Sequence, residues 1–441
     1  MTGVIGAHTV DAARQNPNAV AGHVAQVNAY SVTTGLLCCV LLCAQLLPPL
    51  PQYLGLSPSM ALGMTMASGI AILLVGANWA IQKINGRLTN WSISAAPLAA
   101  PVVLVCLVVI HGLIAAQMHE FDYARFSAAL IPLVFLVGGG FAIGSVLRQA
   151  RPGQVMMATW ISFWTLMGVL ALKLVGLQPR IAEFPKSTFP FTETSHFALA
   201  LGPILLYRCV TAKSKGRTQW VLLSIAMALA LKSGTLLIVA FIAAVITRRT
   251  LSFIAVGAVV LLVGLTVELK YFVQRAEISN NSSNLTALVY LEGWEMFGSA
   301  MEETRSWGLG FEQMGLDGTN VAAAAEIRRV SGGVSENVLD GGFDFAKLGS
   351  EFGIFGALLA VAFCIGSLRA VRRLRMRDFD FGLALPYCII VGYSVDMFVR
   401  GTGYFTQSTL LFWGAVSSFG PLRGLFRCKG RVDGDVEVCL R

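Results

Sequence analysis

The sequence predicts an all-α polytopic membrane protein of about twelve transmembrane helices, with one large loop outside the membrane. Three observations predict it. Of 441 residues, 55% are hydrophobic and only 13% are charged, whereas a soluble domain carries about a quarter charged residues. The mean hydropathy is +0.68. Apolar runs recur along the chain near the roughly 20 residues that cross a bilayer, and basic residues gather between alternate runs.

In chain order the predicted spans are 30–48, 59–79, 94–117, 125–146, 154–175, 192–210, 216–231, 233–248, 251–269, 347–368, 380–399 and 403–420. They divide the chain into a tail (1–29), nine helices (30–269), a large polar loop (270–346), three helices (347–420) and a C-terminal tail (421–441). Lys83, Arg87, Arg148, Arg151, Arg208, Lys213, Lys215, Arg217, Arg248 and Arg249 fall on one side of this layout. Arg369, Arg372, Arg373, Arg375, Arg377, Arg423, Arg427, Lys429 and Arg431 fall on the same side, and Arg14 and Arg441 lie in the tails. By the positive-inside rule that side is cytoplasmic, both termini lie there, and the 270–346 loop faces outward. The formal net charge of +9 is therefore a topology signal, and nucleic acid is not an expected partner. The first 25 residues hold Arg14 and no apolar core, so no cleavable signal peptide is expected.

Residues 216–248 admit one long helix or two short ones. One helix would reverse every later loop and carry the arginines of 369–377 outside, so the charge rule favours two spans turning at Lys232-Ser233-Gly234. Each has about 16 residues, roughly 24 Å, short of the ~30 Å hydrocarbon core. The turn is then expected below the outer surface, where an ionisable residue marks a functional site or snorkels to the headgroups.

The nine cysteines lie in spans or in the C-terminal tail without metal-type spacing, so no disulfide framework, metal or cofactor is expected. No internal repeat, Walker loop or Gly-x-Gly-x-x-Gly is present, which removes support for nucleotide-driven chemistry.

The chemistry-bearing residues cluster on the predicted outer side. In FPFTETSHFAL (189–199), Glu193 and His196 are three apart and share a helix face. The segment suits a capped helix start or an acid and base beside a sugar hydroxyl. Lys232, Arg275, Arg305 and Arg400 are cations suited to a diphosphate, although Asp396, four residues before Arg400, offers it a local pair. In LDGGFDFAKLGSEFGIFG, Asp340 is a third candidate acid–base residue. Asp344–Lys347 and Lys347–Glu351 are helix-spaced pairs that serve structure or line a polar cavity. Trp294, with Glu292 and Asp344, is a candidate sugar contact; Trp294 and Trp307 equally suit interfacial anchors.

At these residues the chain resembles the O-antigen polymerase and ligase superfamily, in particular Wzy-type exopolysaccharide polymerases. FTETSHFAL is similar to the family's Glu-Pro-Ser-His-type helix opening, with Thr194 where proline is usual. NLTALVYLEGWEMF followed by WGLGFEQMG resembles its outer-loop helix and Gly-x-Gly-Phe turn, and GGFDFAKLGSEFGIFG resembles the entry into the next span. The likeness covers roughly residues 190–365. It implies a glycosyltransferase-C-like, metal-independent, inverting enzyme of the bacterial inner membrane. Its substrate would be oligosaccharide repeat units on undecaprenyl diphosphate, joined at the periplasmic face, with a chain-length regulator as a further partner. By position Lys232 takes the place of a family arginine. The ligase branch carries a His-Asn pair near Asp340–Gly342, and the absence of histidine there argues against the ligase. A flippase would show paired half-repeats and short loops on both sides.

Overall fold

The computed structural model describes residues 17–85, 96–179, 187–247, 257, 284–316, 321–332, 339–376, 379 and 381–419. The described chain is all-helical, apart from one isolated bridge between Thr188 and Phe191. In order the helices are α1 Pro17–Leu46, α2 Pro49–Tyr53, α3 Ala61–Ile84, α4 Ala96–Ala115, α5 Tyr123–Gln149 and α6 Pro152–Leu174. Then come α7 Thr194–Thr211, α8 Ser214–Ala230, α9 Gly234–Thr247, α10 Leu285–Glu303 and α11 Ala322–Val330. The last are α12 Asp344–Leu374, α13 Ala384–Gly392, α14 Ser394–Phe398 and α15 Gln407–Ser418. Arg275 and the predicted span 251–269 lie outside the described residues, apart from Gly257.

Among the described residues six stretches are long and apolar enough to cross a membrane: Ser31–Tyr53, Ala61–Ile84, Tyr123–Gln149, Pro152–Leu174, Asp344–Leu374 and Phe381–Phe398. Pro101–Ala115 and Gly234–Thr247 are apolar but shorter. Leu73, Val102, Leu107, Ile131, Val134, Leu358 and Val361 are exposed on these helices. Large side chains in such a continuous apolar surface point to a lipid bilayer as the surroundings.

Between helices the contacts rely on small residues. A Cβ on Gly139 of α5 would come within 2.6 Å of Ser68 in α3. One on Gly140 or Gly144 would meet Trp413 or Ser417 of α15 at 2.5 or 2.6 Å. Such close backbone approach is how helices associate where no hydrophobic force separates protein from solvent. Helix α7 is the centre of the bundle: every residue from His196 to Val210 is buried. A helix that is buried on all sides can hold polar groups at its first turn away from water, and α7 does so at His196.

Two arginines mark one end of the bundle. At one end Arg208, in the last turn of α7, donates to the Met156 carbonyl (3.1 Å) and lies 4.4 Å from the Trp160 ring centre. At the same end Arg375, after α12, donates through Nε to the Val245 carbonyl of α9 (3.1 Å). The other end carries the starts of α7 and α12.

Helices α8 and α9 form a hairpin that turns at Leu231–Ser233, where the two-helix reading of the sequence put it. Lys232 sits at φ +50°. The Ser233 N–H reaches the Ala228 carbonyl (2.8 Å) and the Lys232 N–H reaches Leu229 (3.0 Å), a Schellman-type cap with lysine in the place glycine usually takes. Two successive reversals make α7 and α9 parallel, and a Cβ on Gly202 of α7 would touch Val239 of α9 at 3.1 Å. At 1.5 Å per residue this register puts the start of α9 level with the first turn of α7.

Helix α12 is broken once. Gly353 adopts φ 56°, ψ −132°, which frees the carbonyls of Ser350 and Glu351. The turn 304–316 takes them up: the N–H groups of Leu309 and Gly310 donate to Ser350 and Glu351 at 2.9 and 2.8 Å. The Ile354 N–H returns a bond to Ser306 (2.9 Å). Non-helical backbone inside an apolar helix survives because protein, and not lipid, satisfies it. Glycine is required at the crossing, since a Cβ on Gly353 would lie 2.1 Å from the Ser306 carbonyl and one on Gly308 2.4 Å from Gly353 N. In the described part of the segment between α9 and α12, α10 packs on α12 and α11, and the WGLGF turn is stitched into α12.

Candidate functional site

Three segments far apart in sequence meet at the end opposite the Arg208–Arg375 end. They are 187–196 leading into α7, 339–351 leading into α12, and the extended stretch 399–406 between α14 and α15. The stretch is fixed by its backbone: the N–H groups of Arg400 and Gly401 donate to Val395 and Gly342, both at 2.9 Å.

Glu193 occupies the N-cap position of α7 with φ −132°, but its carboxylate does not cap the helix. It turns instead to Arg400, whose Nη2 donates to Oε1 at 3.1 Å and Oε2 at 3.0 Å. Ser195 Oγ donates to Oε2 as well (2.7 Å). The glutamate side chain is 46% exposed and the arginine 13%, so the pair forms a rim. The local Asp396–Arg400 pair expected from the sequence does not form. Helix α14 ends at Phe398, so four-residue spacing no longer brings the two side chains together. Asp396 is buried.

Below the rim, His196 is buried at 5% exposure. Its Nδ1 lies 3.1 Å from Thr192 Oγ1, and its Nε2 is buried with no hydrogen-bond partner. Gln407 Nε2 donates to the His196 carbonyl (3.2 Å), tying α15 to this turn. Lys173, at the end of α6, donates to the hydroxyls of Thr188 (2.8 Å) and Thr194 (2.7 Å).

The second half of the site is built around Lys347, whose side chain is 2% exposed. Its ammonium donates to Asp340 Oδ1 at 2.9 Å and to the Leu339 carbonyl at 3.0 Å. It lies 3.1 Å from Glu312 Oε1, 4.0 Å from Glu351 Oε1 and 5.1 Å from the Tyr404 ring centre. Glu312 is held from its other side by Arg125 Nη2 at 3.2 Å, and Arg125 Nη1 donates to the Met314 carbonyl (3.1 Å). This network joins α5, the 304–316 turn and α12. The expected Asp344–Lys347 pair is absent, because Asp340 and Glu312 occupy the ammonium. Asp344 instead accepts from the Tyr393 hydroxyl at Oδ2 (2.7 Å). Two glycines make room for these carboxylates: a Cβ on Gly401 would be 2.3 Å from Asp344 Oδ1, and one on Gly403 would be 2.4 Å from Asp340 Oδ1.

The other sequence candidates lie apart from this cluster. Lys232 and Arg305 are exposed and each sits at positive φ on a turn, with no side-chain ion pair among the described residues. Glu292 is fully buried on the face of α10 that also buries Leu288 and Met296, which separates it from a sugar at the surface. Trp294 is 40% exposed and packs on Phe343 (5.5 Å) and Phe345 (5.4 Å). Trp307 stacks on His111 at 5.3 Å, and His111 Nε2 lies 3.0 Å from the Trp307 carbonyl oxygen, so its ring anchors the 304–316 turn to α4. Among the described residues no group of three or more His, Cys, Asp or Glu is placed to hold a metal ion.

Arg125 and Glu312 were not singled out from the sequence, and Lys347 was expected either in a helix-spaced pair or lining a polar cavity. The available signal was a charge at the edge of an apolar run, which is costly in lipid and marks a protein-lined interior. In chemical terms the cluster offers a rim guanidinium, a partly exposed carboxylate at Asp340 with one oxygen held by lysine, and a buried imidazole. Compared with known proteins, the chain matches no family model, no curated protein and no solved structure.

Proposed function

We propose that the chain is a membrane glycosyltransferase that polymerises oligosaccharide repeat units carried on undecaprenyl diphosphate, at the periplasmic face of the bacterial inner membrane. The observation that carries this reading is the meeting of Glu193, His196, Asp340, Asp344 and Arg400 at the bundle end opposite Arg208 and Arg375. In this reading the Arg208–Arg375 end is cytoplasmic, and the twelve-span layout puts both termini there. The segment from α10 to α11 is then a lid over a site near the outer surface.

The reaction needs little covalent chemistry from the protein. The acceptor sugar hydroxyl attacks the donor anomeric carbon; a C–O bond forms there as the C–O bond to the diphosphate breaks, with inversion. Arg400 holds the departing diphosphate, because a guanidinium fork matches phosphate oxygens. Lys232, on the turn level with the start of α7, and Arg305, on the lid turn, are further donor contacts of this reading. Asp340 takes the hydroxyl proton: its side chain is 36% exposed, with Oδ1 held by Lys347. Trp294, on α10 of the lid, offers a partly open ring to a sugar.

Deleting the gene and sizing surface polysaccharide tests this reading. Loss of polymer, with single repeat units retained on lipid at the outer face, supports a polymerase. Absence of any repeat unit outside indicates a flippase and contradicts it. Complementation with a Lys232→Ala/Arg305→Ala double variant checks the donor contacts: unchanged polymer length and yield would remove both residues from the site.

A further inference from the structure

The contact between Arg400 and Glu193 has an unusual form. Both carboxylate oxygens sit on one nitrogen, Nη2, at 3.1 and 3.0 Å. The strong arrangement of this pair uses two nitrogens in parallel. Among the described residues Arg400 makes no other side-chain hydrogen bond or ion pair, which leaves Nε and Nη1 for a ligand at a rim where the glutamate is nearly half exposed. Glu193 also has a second holder, since Ser195 Oγ donates to Oε2 at 2.7 Å. The Arg400 backbone is fixed by its bond to Val395, so an exchange of partners needs only side-chain rotation.

Charge decides what can enter. The rim pair Glu193–Arg400 carries no net charge of its own. An anion approaching Arg400 gains little while Glu193 stays in place and gains a full cation once it leaves. We propose that Glu193 is an internal competitor for the anion at Arg400, and that a diphosphate displaces its carboxylate onto Ser195. The exchange ties occupancy of the donor position to release of a carboxylate beside it. This inference rests on the donor role given to Arg400 above, and it concerns binding alone.

The test is titration calorimetry of the purified full-length protein in nanodiscs with inorganic pyrophosphate at pH 7 and low salt. The Glu193→Gln variant keeps the size of the side chain and removes its charge. It is expected to bind pyrophosphate roughly tenfold more tightly than the unaltered protein, the scale set by removing one like charge at a partly exposed site. Combining it with Arg400→Ala is expected to abolish that gain; Arg400→Gln serves if the alanine variant is not recovered folded. Equal or weaker binding by Glu193→Gln overturns the proposal, as does binding that survives loss of Arg400. Nanodiscs with and without phosphatidylglycerol separate two phosphate sources. Affinity independent of the anionic lipid supports a diphosphate site, and competition by that lipid assigns the position to a headgroup and overturns it. Because the readout is binding, a protein that makes no polymer would defeat the polymerase reading while leaving this exchange intact.

Discussion

The two ion clusters at the site end each set a cation against carboxylate and differ in burial. Lys347 is enclosed, with a 2% exposed side chain and three carboxylates around it, whereas Arg400 meets one carboxylate that is nearly half in solvent. Burial makes the first cluster a staple: it joins the lid turn through Glu312 to α12 and, through Arg125, to α5. Exposure makes the second exchangeable, because solvent replaces a lost partner at small cost. The comparison teaches that the residue most costly to remove from the fold is not the one expected to meet substrate.

The largest effect that would break this contrast is at Lys347. Lys347→Met leaves Asp340, Glu312 and Glu351 without their shared cation, and a broken buried pair costs about 3–5 kcal/mol. Thermal unfolding in detergent should show a large loss of stability; a change under about 1 kcal/mol would mean that the network is not a staple. Next is Gly353→Ala. A side chain at φ 56° facing the Ser306 carbonyl costs roughly 1–3 kcal/mol in backbone strain alone. It should also loosen the lid turn, seen as faster hydrogen exchange at Leu309 and Gly310. Arg400→Ala is expected to change stability by about 1 kcal/mol or less while abolishing polymer formation; a stability loss like that of Lys347→Met would erase the distinction. Smallest is Lys232→Gly, which relieves a left-handed lysine and should stabilise by about 1 kcal/mol.

Much of the helical layout was legible because lipid demands it: apolar length and sorted basic residues are local features. Glu193, His196, Asp340, Asp344 and Arg400 stood out in the sequence as polar groups on the predicted outer side, and the fold brings them to one end of the bundle. Their partners were not. Glu193 and Arg400 are 207 residues apart in sequence, and nothing local distinguishes Glu193 from Asp396 as the mate of Arg400. The break in α12 was equally hidden, since Gly353 within a hydrophobic run does not reveal that the WGLGF turn supplies the missing bonds. Glu292 misled for the opposite reason: its charge suggested surface, while the face shared with Leu288 and Met296 buries it completely.

The most direct test of the central claim uses the lipid-linked repeat units accumulated by the deletion strain as substrate for the purified protein. The account predicts a ladder of lipid-linked multimers with the unaltered protein. With Arg400→Ala or Asp340→Asn the rate should fall by about a hundredfold or more, the scale expected when a charge-stabilising or proton-accepting group is removed. No multimers from the unaltered protein, or equal rates from the two variants, would contradict it.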